Sequence, residues 1–294
     1  MRDASAVVVT YNALPWIEQS LESVREVETI VVDNGSTDGT PDVVRELFPE
    51  ARVLERENRG LGAGWNAGME AAGGRYFLLM NADAWLTDGS LERLVAFADA
   101  NPRAAIVGPR LLNPDGSLQR SVRGFPTLWR LATEYFFLRK LAPRSQALNG
   151  FYAGGFDHQG VREAEFVMGA CMLVRREAVQ QVGPLDEAFF LFSEETDWAY
   201  RFREAGWKVV FFPGAECVHV GGASHGGGMF RENVGGHLRF LSKHHGDAYA
   251  ERARKLLRSA TSLRGLLFRG DRGRMYHETA DWLGTASIPE LLDR

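Results

Sequence analysis

The sequence Asn81-Ala82-Asp83 follows the apolar run Tyr76–Met80, so its carboxylate sits at the end of what reads as a buried strand. Hard divalent cations such as Mg2+ or Mn2+ take oxygen from one or two carboxylates and complete their shells with phosphate and water. Asp83 is therefore a candidate metal ligand, the alternative being a polar turn that caps the next element. His219 lies behind a second apolar run and ahead of Val220-Gly221-Gly222. It is a second ligand if the fold brings it to Asp83, and an ordinary hydrogen-bonded histidine otherwise. Ser193-Glu194-Glu195-Thr196-Asp197 places three carboxylates in the first turn of a helix. They either compensate the helix dipole, with Asp197 pairing to Arg201, or include a general base held ready for a hydroxyl proton. Phe189, Phe190, Phe192 and Trp198 around them would offer a platform to the apolar face of a sugar. Gly62-Ala63-Gly64-Trp65-Asn66-Ala67 has the spacing of a dinucleotide fingerprint, but two strand–helix units precede it, so close helix packing explains it better. No Gly-x-Ser-x-Gly elbow or Walker loop is present, which sets aside the commonest hydrolase and nucleotide triphosphatase chemistries.

These side chains are far apart in sequence and need a scaffold that gathers loops. The pattern predicts strands at Ala6–Thr10, Thr29–Val32, Arg52–Leu54, Tyr76–Met80 and Ala104–Val107. Between them it predicts helices opened by Pro15, by Thr40-Pro41, at Gly62 and by Ser90. Such alternation argues for an α/β fold with a parallel sheet, whose ligands bind in the crevice at the strands' carboxyl ends. Beyond residue 108 the pattern gives an aromatic helix over Thr127–Leu141 and a glycine-punctuated loop over 150–160. A strand over Phe166–Val174 and a helix over Arg175–Val182 follow. A helix from Glu194 to about Ala205, capped by Ser193, comes next, then a strand over Trp207–Phe212 and a segment at 221–228 expected to be flexible. The remainder reads as helical.

Two cysteines, Cys171 and Cys217, exclude a disulfide-stapled scaffold and a thiolate-rich metal cluster, and are read as small buried hydrophobes. Apolar stretches such as Phe166–Val174 fall well short of the roughly 20 residues a spanning helix needs. The early strand leaves no room for a signal peptide, so a cytoplasmic location is expected. The net charge of −4 gives no reason to expect nucleic acid binding. That figure conceals a segregation: residues 1–100 carry 8 basic and 17 acidic side chains, whereas 101–150 and 251–274 each carry 8 basic and 2 acidic. The two basic stretches would suit a phosphate-bearing ligand or an anionic membrane surface; a solvated helix or an oligomer contact is the alternative.

Taken in order, Val7-Val8-Val9-Thr10-Tyr11-Asn12, Ile30-Val31-Val32-Asp33-Asn34-Gly35-Ser36-Thr37-Asp38-Gly39-Thr40, Asn58-Arg59-Gly60 with Asn66, Asn81-Ala82-Asp83, Glu194-Glu195-Thr196-Asp197 and His219 resemble the motifs of family-two glycosyltransferases over roughly residues 5–225. Phe166–Val174 and Gly183–Phe190 are most similar to the rhamnosyltransferase-like bacterial members. The resemblance implies a GT-A type α/β fold, with a Rossmann-like mixed central sheet, flanking helices and a C-terminal helical extension. Residues 1–110 would bind the nucleotide sugar, 111–225 the acceptor, and 226–294 would form the extension. It further implies that Thr10, Tyr11 and Asn12 line the base pocket, that Asp33 contacts base or ribose, and that Asp38, Arg59, Asn66, Asn81 and Ala82 help hold the nucleotide. Asp83 and His219 would bind Mg2+ or Mn2+ on the diphosphate, and Glu195 would be the base, with Glu194 and Asp197 as lesser candidates. The family usually has Asp where Glu195 stands, and Asn81 removes one acid from the metal motif.

The implied reaction is an inverting transfer, best matched to L-rhamnose from dTDP-rhamnose, onto a glycan or polyprenyl-diphosphate-linked saccharide of the cell envelope. A UDP- or GDP-sugar donor is the alternative. Peripheral contact with the inner face of an anionic membrane, and an oligomer, are further expectations of the same resemblance. A sugar nucleotidyltransferase is a more remote reading, since residues 1–50 contain no lysine for a phosphate loop. A non-catalytic binding module would have little use for Asp83, Glu195 and His219 together.

Overall fold

In a computed structural model, the structure describes residues 3–221, 229–285 and 287–292. The expected flexibility of 221–228 falls, beyond Gly221, outside the described residues. The first elements alternate: β1 (Ala4–Thr10), α1 (Ile17–Glu22), β2 (Glu28–Asp33), α2 (Thr40–Leu47), β3 (Arg52–Glu55), α3 (Leu61–Ala71) and β4 (Tyr76–Asn81). The four strands lie parallel in the order β3-β2-β1-β4, so the ends of β1, β2 and β4 open on one edge. Every residue of β1 is buried, as expected for a strand covered on both faces. Ala6 and Val8 pack toward α1 and α2, Val7 and Val9 toward α3. A side chain at Gly68 of α3 would come within 2.1 Å of Val7, and one at Gly64 within 2.8 Å of Val9. Those glycines let the helix lie against the strand, which is the packing role read from the sequence.

The second half contributes β5 (Ala84–Leu86), α4 (Ser90–Ala100), β6 (Ala104–Leu112), β7 (Leu118–Gln119), β8 (Val122–Arg123), α5 (Leu128–Tyr135) and α6 (Gln146–Asn149). It continues with β9 (Arg162–Ala164), β10 (Phe166–Val167), β11 (Cys171–Arg175), α7 (Arg176–Val182), α8 (Glu194–Glu204) and β12 (Lys208–His219). The sheet extends as β4-β11-β6-β12-β5, with β11 antiparallel to both neighbours, while β8 and β10 form a separate pair. The sheet is therefore mixed. Cys171 and Cys217 are buried thiols.

Three expectations are corrected here. The strand over Phe166–Val174 is two strands of different sheets, interrupted at Met168-Gly169-Ala170, where Met168 N–H donates to Ser121 O and Asn81 N–H to Ala170 O, each at 3.0 Å. The strand over Trp207–Phe212 runs on to His219, because a bulge between Phe212 and Glu216 absorbs Pro213 and lets β12 reach β5. The helix over Thr127–Leu141 stops at Tyr135, since Phe137 turns to φ 61° before a short 3-10 turn over Leu138–Lys140. The expected caps also differ: Gly39 and Gly89 precede α2 and α4 with φ 90° and 69°, and the Ser193 hydroxyl caps nothing.

The chain ends in α9 (Met229–His245), α10 (Asp247–Leu267), α11 (Gly270–Thr285) and α12 (Ile288–Leu292). They share a third core with α5, built on Leu131, Tyr135, Leu238, Phe240, Leu257 and Leu283. Among the described residues no helix is long and apolar enough to cross a membrane.

Candidate active site

The loops after β1 and β2 are knitted by the motif residues themselves. Asp33 is buried: its Oδ1 accepts from the hydroxyls of Thr10 (2.7 Å) and Ser36 (2.5 Å), its Oδ2 from the N–H groups of Gly35 (3.1 Å) and Ser36 (2.8 Å). Asn12, at φ 51°, donates its N–H to Ser36 Oγ and accepts from Thr37 N–H, both at 2.8 Å. Asp38 accepts from Leu14 N–H (3.0 Å), Thr40 N–H (3.0 Å) and the Thr40 hydroxyl (2.6 Å). Burial works against ionisation of Asp38, but those bonds outweigh it and hold the carboxyl below its ordinary value. Thr10, Asn12, Asp33 and Asp38 thus set the shape of the loops, while Tyr11 stands exposed beside them. The Asn66 side chain clips Leu185, donating to its carbonyl (2.9 Å) and accepting from its N–H (3.0 Å), and Arg59 is an exposed partner of Glu187 at 3.4 Å. These two residues therefore meet the 185–190 loop, which is also fixed by Leu61 N–H donating to Phe190 O (2.9 Å).

Asp83 and His219 meet. β5 runs antiparallel to β12 with Ala84 opposite His219, which brings His219 Nε2 to 3.4 Å from Asp83 Oδ1. Gly221 N–H donates to Asp83 Oδ2 at 3.2 Å and Val220 N–H to the Asp83 carbonyl at 3.0 Å. Burial would raise the Asp83 carboxyl; the His219 ring and the Gly221 N–H reverse that and keep it low. The other ring nitrogen, Nδ1, is 2.7 Å from Gln119 Oε1. Gln119 Nε2 donates to Asn113 Oδ1 (3.0 Å) and the His219 carbonyl (3.2 Å), so the oxygen is the atom that faces the ring. The ring therefore donates from Nδ1, which leaves Nε2 facing Asp83: a donor to the carboxylate when the ring is protonated, and a lone pair for a cation when it is neutral. One carboxylate and one imidazole, with no third such residue joining them among the described residues, fit a divalent cation that completes its shell with phosphate and water.

Glu194 and Glu195 open α8. They follow Phe192 and Ser193, two consecutive non-glycine residues at φ 67° and 71°, a strained turn that starts α8. The turn is pinned from behind by α9: a side chain at Gly236 would come within 2.8 Å of both Phe192 O and Ser193 Oγ. One oxygen of each glutamate, Oε2, is buried without a hydrogen-bond partner. Burial pushes Glu195 up to about 7 against the pull of nearby backbone N–H groups and of Arg123, and burial plus the charge of Glu195 pushes Glu194 up as well. The Met168–Ala170 break touches both neighbourhoods: Ala170 O accepts from Asn81 N–H, two residues before Asp83, and a side chain at Gly169 would lie 3.6 Å from Glu195 Cγ.

Asp197 is corrected as a candidate base. It is wholly buried, with Oδ1 bonded to His244 (2.7 Å) and Lys243 (2.8 Å) and Oδ2 to Arg201 (2.8 Å). Burial opposes ionisation, but the hydrogen bonds from His244 and Lys243 and the charges of Arg201 and Lys243 hold it at about 2, so that it serves as a clamp between α8 and α9. The aromatic platform is corrected too, since Phe189 and Trp198 are buried core residues and the Trp198 N–H donates to Gly183 O (2.9 Å). Gln119, Arg123, Gly236, Lys243 and His244 escaped the sequence reading. Gln119 lies 100 residues from His219 and no motif links them.

A family model described as "Glycosyl transferase family 2" matches residues 5–183. The chain is 34% identical over 230 residues to an N-acetylglucosaminyl-diphospho-decaprenol L-rhamnosyltransferase of Mycobacterium tuberculosis, spanning 72% of this chain and 74% of that protein. A mannosyltransferase from Pyrobaculum calidifontis, solved with GDP-Man and Mn2+, matches 100% of this chain and 88% of its own with TM-score 0.59 at 18% identity. GalNAc-T7, solved with UDP, GalNAc and Mn2+, matches 100% of this chain and 56% of its own with the same TM-score at 14% identity. At such identities the two structures speak for the fold.

Proposed function

The chain belongs to glycosyl transferase family 2 and has the GT-A fold, and from that premise we propose that it transfers L-rhamnose from dTDP-rhamnose, with inversion, to an N-acetylglucosaminyl-diphospho-polyprenol. The observation that carries the reading is the pair of sites that the Met168–Ala170 break touches: Asp83 with His219 at one, an unpartnered Glu195 oxygen at the other. The loops after β1 and β2 hold the nucleotide, with Tyr11 against the base and Arg59 and Asn66 fixing the 185–190 wall. A divalent cation held by Asp83 and His219 would supply the positive charge that a departing diphosphate needs. Glu195 takes the proton of the acceptor hydroxyl as that oxygen attacks the anomeric carbon from the face opposite the diphosphate. A single displacement of this kind inverts the anomeric centre. The mycobacterial relative's acceptor and sugar support rhamnose and a diphosphate-linked acceptor, and the dTDP carrier is the part tested directly. With Mn2+ and a short-chain GlcNAc-diphosphate lipid, dTDP-rhamnose is expected to give disaccharide while UDP- and GDP-sugars give little. Preferential turnover of a UDP- or GDP-sugar would replace the donor and keep the reaction class.

We also infer that the chain works against an anionic bilayer. Leu263, Leu266 and Leu267 at the end of α10 are 43, 77 and 62% exposed, and Leu141 is 79% exposed beyond Phe137, whose ring meets that of Phe268 at 6.0 Å. Exposed Lys140, Arg258, Arg269 and Arg272 lie on the same segments. Arg264, in contrast, is buried against the Tyr135 and Glu134 carbonyls, so part of the basic surplus at 251–274 is internal. Leucines amid basic residues suit an interface in which each cation contributes on the order of 1 kcal/mol. Replacing Leu266 and Leu267 by Ser is expected to release the protein from vesicles containing 30% phosphatidylglycerol, read by co-sedimentation. Unchanged retention would remove this edge from the interface.

A further inference from the structure

The segment from Leu118 to Arg123 runs between the two halves of the site. At one end Gln119 orients His219; at the other Arg123 lies within the field of Glu195. Arg123 contrasts with the partly buried arginines that are answered by a carboxylate. Arg130 makes a two-point pair with Glu165 at 2.6 and 2.7 Å, Arg201 pairs with Asp197, Arg254 with Glu251 and Arg110 with Glu216. Arg123 makes no ion pair among the described residues. Its one hydrogen bond runs from Nη1 to the carbonyl of the adjacent Val122, at 3.2 Å. The guanidinium lies 4.7 Å from the centre of the Tyr152 ring, and Arg139 lies 4.7 Å from the same centre. Arg139 is paired with Glu134, so it adds a second cation beside Tyr152, while Arg123 feels Glu195 and Glu134 only at longer range and touches no carboxylate among the described residues. Arg120 adds a further positive charge to the surroundings.

Burial of a charge without a counter-ion is unfavourable, and guanidinium is the group whose planar fork matches phosphate. With the aromatic ring stacked on its face, the fork keeps its edge for hydrogen bonding. We propose that Arg123, backed by Tyr152 and Arg139, binds a phosphate of the acceptor. The inference rests on the reading above, in which the acceptor sugar is diphosphate-linked. The side of the crevice decides between the two phosphates that enter it. The donor diphosphate is drawn to the Asp83–His219 side, whereas Arg123 stands on the side of Glu195, where the acceptor hydroxyl must be. A phosphate held there anchors the acceptor sugar one link from its lipid and presents its hydroxyl to the base. It also places the lipid's exit among 101–150, the basic stretch that includes Lys140 and Leu141 of the proposed membrane edge.

The test is binding of geranyl diphosphate, by calorimetry, to full-length protein already saturated with dTDP and Mn2+ so that the donor phosphate site is filled. Arg123→Gln is expected to weaken that binding at least tenfold, Arg123→Lys less, with dTDP affinity unchanged in both. In turnover well above pH 7, where Glu195 is ionised with or without the pull of Arg123, Arg123→Gln should raise KM for a short-chain GlcNAc-diphosphate lipid at least tenfold and change the slower reaction of neutral octyl-GlcNAc far less. Equal binding by wild type and Arg123→Gln, or no binding by wild type, overturns the assignment. Equal losses on both acceptors would assign Arg123 to Glu195 instead, and weaker dTDP binding would assign it to the donor. If geranyl diphosphate binds through Arg123 yet no diphosphate-linked sugar is a substrate, the phosphate site stands and the proposed reaction falls.

Discussion

Glu195→Gln is expected to lower kcat by on the order of 10^3-fold, the usual contribution of a positioned general base, while Mn2+-dependent dTDP binding stays within twofold of wild type. The amide keeps the shape of the side chain and cannot take a proton. Stability should move the other way. In the folded chain Glu195 holds its proton up to about pH 7, while an unfolded glutamate loses it near 4.5. The native state then binds more protons across that window, so ionisation removes stability as pH rises from about 4.5 through about 7. Glu195→Gln is free of that loss and should melt at a higher temperature than wild type at pH 8, with the gap closing toward pH 4.5. An inactive variant that is more stable separates a missing base from a damaged fold. The wild-type kcat, at saturating Mn2+ and donor, should rise about tenfold per pH unit below about 7 and level off above it. An active Glu195→Gln whose rate still rises with pH would pass the role to Glu194, which is buried beside it, likewise pushed up, and likewise lacks a partner for one oxygen.

The first four strands and the loops behind them were legible because local signals agree with the global arrangement. β1 and β2 are β-branched runs that end in polar turns, and a buried parallel strand has no other composition open to it. The second half was harder for reasons that lie in particular residues. Pro213-Gly214 reads as the end of a strand, but the bulge that absorbs it carries β12 on to His219. Phe166–Val174 reads as one strand because its apolar run is continuous; the switch between sheets is a tertiary choice, and Gly169 was its single local sign. The acidic turn before α8 was ambiguous for a similar reason. Three carboxylates in one turn look alike in sequence, yet α9 supplies Lys243 and His244 to Asp197 and nothing to Glu195. Partners that arrive from a distant helix distinguish the paired acid Asp197 from Glu195 with its unpartnered oxygen.

Asp83→Asn is expected to lower kcat/KM by on the order of 10^3-fold, because a metal's electrostatic help to a leaving group is several kcal/mol and each 1.36 kcal/mol is tenfold. The reasoning turns on how few ligands the chain provides. With Asp83 and His219 alone from the described residues, loss of one carboxylate charge leaves a single imidazole, too little to hold Mn2+ without the nucleotide. The loss should therefore appear first in Mn2+ titrations followed by electron paramagnetic resonance, as weaker metal binding in the presence of dTDP. Metal-free dTDP binding should change little. Fold stability should hold as well: the asparagine amide can still receive the Gly221 N–H at its oxygen, and the Val220 N–H bond to the main-chain carbonyl is untouched. Chelation of wild type should reproduce the variant's rate, and chelation of the variant should add nothing. A variant that keeps both Mn2+ affinity and turnover would mean that Asp83 serves only to close the β5–β12 edge, and that the diphosphate is neutralised from elsewhere in the crevice. Arg123 would then be a candidate for that charge, and the donor and acceptor sides of the site would exchange places.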